Sequence, residues 1–189
     1  RERVLALSEI AHPDFRENLL AQARKRGMIP AFYTMPSTSP LEGEVESRNV
    51  KFGEKEMLFR PLHPSDMRSL QQFFYSHDPE TIRLRFGHVK DRMNAQGAYK
   101  LTSIDQRKDL ALGLFKRIAG RTEIRGIGRF YLDPGGESAE VAFVVHESLR
   151  RLGIARFLLF ELARIAQQCG VKHFWASVLK QNQSMAGLF

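Results

Sequence analysis

The residues best suited to binding an anion lie where an apolar run, 141–145, gives way to a polar loop and then to a helix-forming segment. The run has strong β-propensity, and the loop contains Arg150, Arg151 and Gly153, with Arg156 just beyond. Glycine lets a ligand approach the backbone closely, and a helix directs its free N–H groups and positive dipole end at an anion. The stretch therefore predicts a pyrophosphate site. The alternative is an ordinary strand-to-helix connection with solvated arginines, because one glycine and some arginines are a weak signal.

Glu140 is the residue best suited to acid–base chemistry. Ala139 and Val141 flank it in an apolar strand, and a period of two places it on one face with Ala142 and Val144. A carboxylate in such surroundings loses hydration, which strengthens it as a base. The alternative is a strand-end glutamate that reaches solvent or pairs with one of the many arginines.

The order Arg150-x-x-Gly153-x-Ala155 after an apolar strand resembles the acetyl-CoA loop of the GNAT acetyltransferase superfamily, and the resemblance runs from about Met57 to the last residue. It implies an α/β (α+β) fold with a mixed sheet of the GNAT-like acyl-CoA N-acyltransferase type, and acetyl-CoA as cosubstrate. In that family the strand splays from the next one and pantetheine pairs with its exposed backbone. The residues implied for acetyl-CoA binding are Phe143, Val144, Val145, Arg150, Arg151, Leu152, Gly153, Ile154, Ala155, Arg156 and Asn182. A plain helix cap is the alternative for Asn182.

Two segments resemble the Pat-type protein lysine acetyltransferases. The sequence Ala-Glu-Val-Ala at 139–142 is similar to their Ala-Glu-Phe-Ala motif, whose glutamate is the general base, and 80–86 looks like their early helical region, which borders the acceptor. The resemblance implies acetyl transfer to an amine acceptor, a protein lysine in particular, with Glu140 as the catalytic base. Backbone N–H groups near Val144 would hold the thioester carbonyl. No tyrosine in the final segment matches the general acid of many relatives, so a non-catalytic acyl-CoA-binding regulatory domain is the alternative.

The composition argues against several other classes of protein. The formal charge is +8, but the basic residues are spread along the chain without a nucleic-acid-binding motif. Binding of the CoA phosphates is therefore a more specific explanation of the charge than binding of nucleic acid. No apolar run approaches the ~20 residues of a membrane span, and no metal-ligand spacing occurs, so neither a membrane nor a metal partner is expected. The single cysteine, Cys169, is expected in the core and fits a reducing, cytoplasmic location. The histidines, including His77 and His146, are predicted to form no cluster.

The chain divides into three predicted parts. Residues 1–28 contain a helix between Pro13 and Gly27 with an apolar stripe of Phe15, Leu19, Leu20 and Ala23. Segments 8–16 and 19–23 resemble the C-terminal end of acetyl-CoA hydrolase/CoA-transferase enzymes. That resemblance implies an upstream CoA-transferase/hydrolase domain and a fusion protein, of which this chain, lacking an initial methionine, would be a piece. Proline-rich residues 29–54 are predicted as a linker, and 55–189 as the GNAT domain, whose last two strands would lie beyond residue 189.

The expected elements of that domain begin with a strand at 55–60 and two helices. The first helix starts at the segment 64–66 and the second at Asp78-Pro79. Three strands, a long helix, a strand at 174–178 and a final helix opened by Asn182 then follow. Gly126 and Gly128 fall inside a strand, which indicates a bulge or close packing rather than a nucleotide-binding loop.

Overall fold

The computed structural model describes residues 3–4, 7–8, 13–33, 45–86, 93–103, 109–118 and 120–189. Within them lies one six-stranded sheet in the order β1-β2-β3-β4-β5-β6. Its strands are Arg48–Phe52 (β1), Lys55–Pro61 (β2), Asp109–Ile118 (β3), Arg121–Leu132 (β4), Ser138–Val145 (β5) and His173–Trp175 (β6). The helices are Pro13–Lys25 (α1), Met67–Tyr75 (α2), Pro79–Phe86 (α3), Ala95–Thr102 (α4), Ile154–Gln168 (α5) and Gln183–Ala186 (α6). None of the helices in these ranges is both long and apolar enough to cross a membrane.

The sheet confirms the mixed α/β prediction. All neighbouring strands are antiparallel except β5 and β6, which are parallel and are connected along the chain by α5. The first strand, β1, falls inside the segment predicted as a linker and pairs with β2 over its whole length. Its alternation of half-buried and exposed residues contains only Val50 and Phe52 as apolar members, which is why the sequence did not reveal it.

One face of the sheet is covered by α5. The helix buries Ile154, Leu158, Leu162 and Ile165, spaced three and four residues apart. Gly126 and Gly128 of β4 make the close approach possible, because a Cβ at Gly128 would lie 3.0 Å from the Leu158 Cβ and 3.0 Å from the Phe143 ring. The prediction of close packing at these glycines is confirmed.

The opposite face is covered by α2, α3 and α4. Leu70, Phe73 and Phe74 of α2 form the centre of its apolar cluster, with Ile82 of α3 and Ile127 of β4. The predicted N-terminal cap of α3 is present, because the Asp78 carboxylate accepts a hydrogen bond from the Thr81 N–H at 2.6 Å. Three short helices thus cover one face of the sheet that contains Glu140.

The N-terminal helix α1 packs on this second group of helices. Its buried residues are Leu20 and Ala23, which contact Tyr99 of α4, together with Ile29 and Tyr33 from the segment after α1. The predicted stripe is therefore correct for Leu20 and Ala23 but wrong for Leu19, which is 42% exposed; the side chain of Phe15 lies outside the described residues.

Two expectations at the C-terminal end need correction. The last strand is shorter than the predicted 174–178, since only 173–175 pair with β5. Cys169 is exposed at the C-cap of α5 rather than buried in the core. The helix ends there because Gly170 adopts φ 81°, so position 169 turns away from the apolar face that ends at Ile165 and Ala166.

Candidate active site

The strand β5 continues past the end of β6. They are paired only from Ser138 to Glu140, whereas β5 continues to Val145 alongside β4. The N–H of His146 bonds to the carbonyl of Arg125 in β4. By strand alternation, the N–H and C=O groups of Phe143 and Val145 therefore point away from β4 into the gap beyond β6. The gap therefore offers unpaired peptide groups to an extended ligand.

This geometry identifies which backbone N–H groups face the gap. The sequence prediction was N–H groups near Val144, but Val144 pairs with Ile127 and its peptide faces β4. The N–H groups that reach the gap are those of Phe143 and Val145. These are the donors that could hold a carbonyl oxygen carrying developing negative charge.

The start of α5 has the features of an anion site. The first backbone N–H to bond within the helix is that of Phe157, to the carbonyl of Gly153 at 2.9 Å. The three preceding N–H groups, of Ile154, Ala155 and Arg156, have no carbonyl acceptor in the described part of the chain. Gly153 has φ 78°, and no atom lies within 4 Å of where its Cβ would be. The space in front of the helix is thus open, and its donors point into it.

The arginines of the loop divide into two groups. Arg151 and Arg156 are exposed beside the helix start, and Arg151 has φ 63°. Arg150 instead donates from Nη2 to the Thr81 hydroxyl of α3, at 2.5 Å, and lies 3.9 Å from a Glu147 oxygen. In this conformation Arg150 ties the loop to α3 rather than facing the helix start.

The remaining predicted ligand residues differ in what they can offer. Ile154 is 1% exposed and can contribute only its N–H, whereas the Leu152 side chain is 37% exposed. Asn182 caps α6 by accepting a hydrogen bond from the Met185 N–H at 3.2 Å. The helix-cap interpretation of Asn182 therefore holds, and its contact with a pantetheine arm remains a prediction.

Glu140 faces the side of the sheet covered by α2–α4. It is half-buried, and it stands directly opposite Tyr131 in β4 and Trp175 in β6. Arg129 of β4, 4% exposed, donates to the Tyr131 hydroxyl at 2.9 Å and to the Leu101 carbonyl at 3.1 Å. Glu140 thus has a buried cation and a phenol as near neighbours on its face of the sheet.

A second arginine joins this group from α3. Burial lowers the pKa of Arg85 below its ordinary value, and the charge of Arg129 lowers it further; Tyr131 and Glu140 act in the opposite direction. Arg85 therefore lies close enough to Glu140 to interact with its charge. The sequence did not predict this group, although a charged residue such as Arg129 inside an apolar strand is a signal that could have revealed it.

A cavity of about 40 Å³ lies between α2–α4 and the strands β4 and β5. On the scale at which one water needs ~10–15 Å³, it has room for about three water molecules. Its walls are largely apolar, with three polar side chains: Leu70, Phe73, Phe74, His77, Ile82, Arg85, Met93, Leu101, Ile127, Arg129, Ala142 and Val144. Because Ala142 and Val144 follow Glu140 on the same face, the cavity borders the strand that holds the proposed base.

The polar pair His77–Glu147 was missed by the sequence analysis. The His77 Nδ1 lies 2.9 Å from a Glu147 oxygen, and the ring of His146 is 5.6 Å from that of His77. The prediction that the histidines form no cluster was therefore wrong for these two. Seventy positions separate His77 from Glu147, and no local spacing could have linked them. In the described ranges, no group of three His, Cys, Asp or Glu side chains could hold a metal ion.

Comparison with known proteins agrees with this geometry. Residues 73–189 match the family model described as the acetyltransferase (GNAT) family. The GNAT domain of the S. lividans protein PAT is 26% identical, with a TM-score of 0.67 over 76% of this chain and 84% of that chain. A putative acetyltransferase from Salmonella typhimurium, solved with its cofactor acetyl-CoA, is 17% identical, with a TM-score of 0.54 over 71% of this chain and 76% of that chain.

A longer relative shares the same fold. The cAMP-binding acyltransferase from Mycobacterium smegmatis is 23% identical, with a TM-score of 0.53 over 95% of this chain, which spans only 48% of the mycobacterial protein. At this identity the likeness concerns the fold alone. The family model, in contrast, covers more than half of the chain and includes the strand β5, the loop and the helix α5. The chain therefore belongs to the acetyltransferase (GNAT) family.

Proposed function

We propose that the chain transfers an acetyl group from acetyl-CoA to an amine, with a protein lysine as the acceptor. The observation that supports this most is the combination of a strand, β5, whose edge is unpaired after Glu140, with unpaired N–H groups at the start of α5. An extended pantetheine arm suits the first feature and a pyrophosphate suits the second. The Salmonella relative, which shares the fold, was solved with acetyl-CoA.

The proposed chemistry needs a proton acceptor, because a lysine amine, with a reference pKa of ~10.4, is mostly protonated at neutral pH. Glu140 takes that proton, directly or through water, and the neutral nitrogen attacks the thioester carbonyl. The N–H groups of Phe143 and Val145 stabilise the oxyanion. Glu140 faces the helix-covered side of the sheet, so an acceptor would approach from there while the cofactor lies in the gap.

The lysine acceptor rests on likeness to Pat-type enzymes. It is supported by the Ala-Glu-Val-Ala segment at 139–142 and by the structural match to the PAT domain from S. lividans. We also propose that the N-terminal part of the chain is the tail of an acetyl-CoA hydrolase/CoA-transferase domain, so that the acetyltransferase acts as part of a fusion. The support for this is the resemblance of segments 8–16 and 19–23 alone.

A non-catalytic acyl-CoA sensor is the second candidate. It is favoured by one observation: no tyrosine follows Tyr131 in the sequence, so the phenol that protonates the leaving thiolate in many relatives has no counterpart there. Such a domain would bind acetyl-CoA in the same gap and report its concentration to an attached enzyme.

The two candidates are separated by one experiment. The protein is incubated with radiolabelled acetyl-CoA and a cell extract, and labelled products are identified by mass spectrometry. Acetylated lysines above the level of a protein-free control support the transferase. Tight acetyl-CoA binding by calorimetry without any labelled product supports the sensor, and absence of binding contradicts both.

A further inference from the structure

His77 is held in one orientation by a carboxylate. It follows α2, and its side chain is 1% exposed. Its Nδ1 lies 2.9 Å from Glu147 Oε1 in the short 3₁₀ turn Glu147–Leu149 after β5, and the same oxygen accepts the Asp78 N–H at 3.3 Å. Because an ionised carboxylate only accepts hydrogen bonds, Nδ1 is the nitrogen that carries hydrogen. In the neutral ring the lone pair is then on Nε2.

The charge of Glu147 is maintained by its surroundings. Burial raises the pKa of this carboxyl, but hydrogen bonds from Thr81, its own backbone N–H and His77 outweigh burial and lower the pKa to about 2. Arg150 supports the arrangement from the loop, since it bonds the Thr81 hydroxyl. An ionised carboxylate on one imidazole nitrogen stabilises the imidazolium that forms when the other nitrogen takes a proton.

The second ring nitrogen has no hydrogen-bond partner among the described residues. The Nε2 of His77 is buried there without a bond. Leaving a buried polar atom unpaired is costly, and such atoms are rare enough in native proteins to require an explanation. His77 lines the same cavity as Ala142 and Val144 of β5, whereas Glu140 is not among the residues that line it. His77 thus lines a cavity whose wall includes β5, the strand whose Phe143 and Val145 peptides face the gap.

We propose that His77, oriented by Glu147, transfers a proton from the attacking nitrogen to the leaving sulfur during acetyl transfer. This role rests on the proposed function and supplies the proton donor for which no tyrosine was found. The C–N bond forms at the carbonyl carbon, and the nitrogen, now positively charged, gives one proton to Nε2. The C–S bond then breaks, and the sulfur takes that proton from Nε2, so His77 ends neutral as it began. The first proton of the ammonium leaves through Glu140.

The test uses acetyl-CoA and a lysine-containing peptide, with release of free thiol and peptide acetylation as readouts. His77→Asn keeps a side-chain N–H for Glu147 but removes the basic nitrogen. We expect turnover to fall by ~10²–10⁴-fold, the range typical of lost acid–base catalysis, while acetyl-CoA affinity by calorimetry stays the same. His146→Asn is the matched control, because it replaces the neighbouring ring and an asparagine can still cap Ser148; it should retain activity.

Chemical rescue separates proton transfer from a structural role. His77→Ala leaves a space for a free ring, so added imidazole should restore part of the turnover, and the restored rate should follow the neutral form of imidazole as pH rises.

Three outcomes of these experiments would contradict the proposed role of His77. Wild-type turnover in His77→Asn would overturn the proton-transfer role and leave the proposed function intact. A folded His77→Ala that is inactive and insensitive to imidazole would assign His77 a structural role only; unfolding midpoints identify the folded variants. Wild-type protein that acetylates no peptide and releases no thiol would instead contradict the proposed function, and this inference with it.

Discussion

The two faces of the sheet beside β5 are built from the chain in different ways. On the side of α5, the proposed cofactor side, the strand end, the loop and the first turn of α5 come from one continuous stretch, 141–156. On the side of α2–α4, the proposed acceptor side, the cavity is assembled from α2, α3, α4, β4 and β5. Its polar residues His77, Arg85 and Arg129 come from three separate parts of the chain. A site made of neighbouring residues can be recognised as a pattern, whereas a site made of distant residues has no pattern until the chain is folded.

The difference also concerns what each face provides. The cofactor side offers mainly peptide N–H groups, which any sequence with the right backbone supplies, and the positive φ of Gly153 favours glycine at that position. The acceptor side offers buried ionisable side chains whose properties depend on burial and on one another. We therefore expect changes on the acceptor side to affect turnover and changes on the cofactor side to affect binding.

The largest expected effect lies on the acceptor side. Glu140→Gln keeps the shape of the side chain but cannot accept the ammonium proton, so turnover should fall by ~10²–10⁴-fold with little change in acetyl-CoA affinity. The deficit should shrink at high pH, where more of the amine is already neutral. Glu137→Gln, at an exposed glutamate just before β5, is the control in steady-state kinetics. Normal turnover of Glu140→Gln at neutral pH would reject Glu140 as the base.

A substitution at Gly153 tests the cofactor side. Gly153→Asp puts a side chain and a negative charge in the open space before α5, so acetyl-CoA should bind at least tenfold more weakly, or ~1.4 kcal/mol, by calorimetry. Gly136→Asp is matched to it, because Gly136 also has a positive φ, 74°, and no atom within 4 Å of its Cβ position. It carries the same strain away from the site. Equal affinities for the two variants would remove the anion site from the start of α5.

The packing beneath the cofactor side can be tested separately. Gly128→Ala places a Cβ 3.0 Å from the Leu158 Cβ and from the Phe143 ring, and overpacking of this kind costs about 1–3 kcal/mol of unfolding free energy. Gly135→Ala, where no atom lies within 4 Å, should leave the urea midpoint unchanged. A Gly128→Ala protein as stable as the wild type would show that α5 can shift away from the sheet without cost.

The smallest effect concerns acid stability on the acceptor side. The folded pKa of Glu147, about 2, lies below its ordinary value of 4.5, so its ionisation stabilises the fold above about pH 4.5. That contribution is lost as pH falls toward 2, because the unfolded state binds the proton more readily. The stability difference between wild type and Glu147→Gln, from urea unfolding at several pH values, should narrow over this window. A difference that is constant from pH 6 to pH 3 would contradict the stabilised carboxylate.

Several features could be predicted because local physics fixes them. The caps at Asp78 and Asn182, the stop of α1 near Gly27 and the close approach at Gly128 each follow from one residue type at one position. The strand β1 could not be predicted, because it has few apolar residues and gains its stability from pairing with β2. Leu20 and not Leu19 faces inward because the neighbouring helices, rather than the apolar stripe alone, determine how α1 rotates.

By itself, the sequence determined the α/β class, the stretch from β5 to α5 and Glu140 as a candidate base, because periodicity, glycine positions and a short motif are local properties. The tertiary structure decided which peptides of β5 reach the gap, since that depends on where β6 ends. It also decided that His77 meets Glu147 and that Arg85 of α3 and Arg129 of β4 line one cavity beside β5. Those contacts join residues far apart in the chain, and only the packing of α2–α4 on the sheet brings their charges within reach of one another.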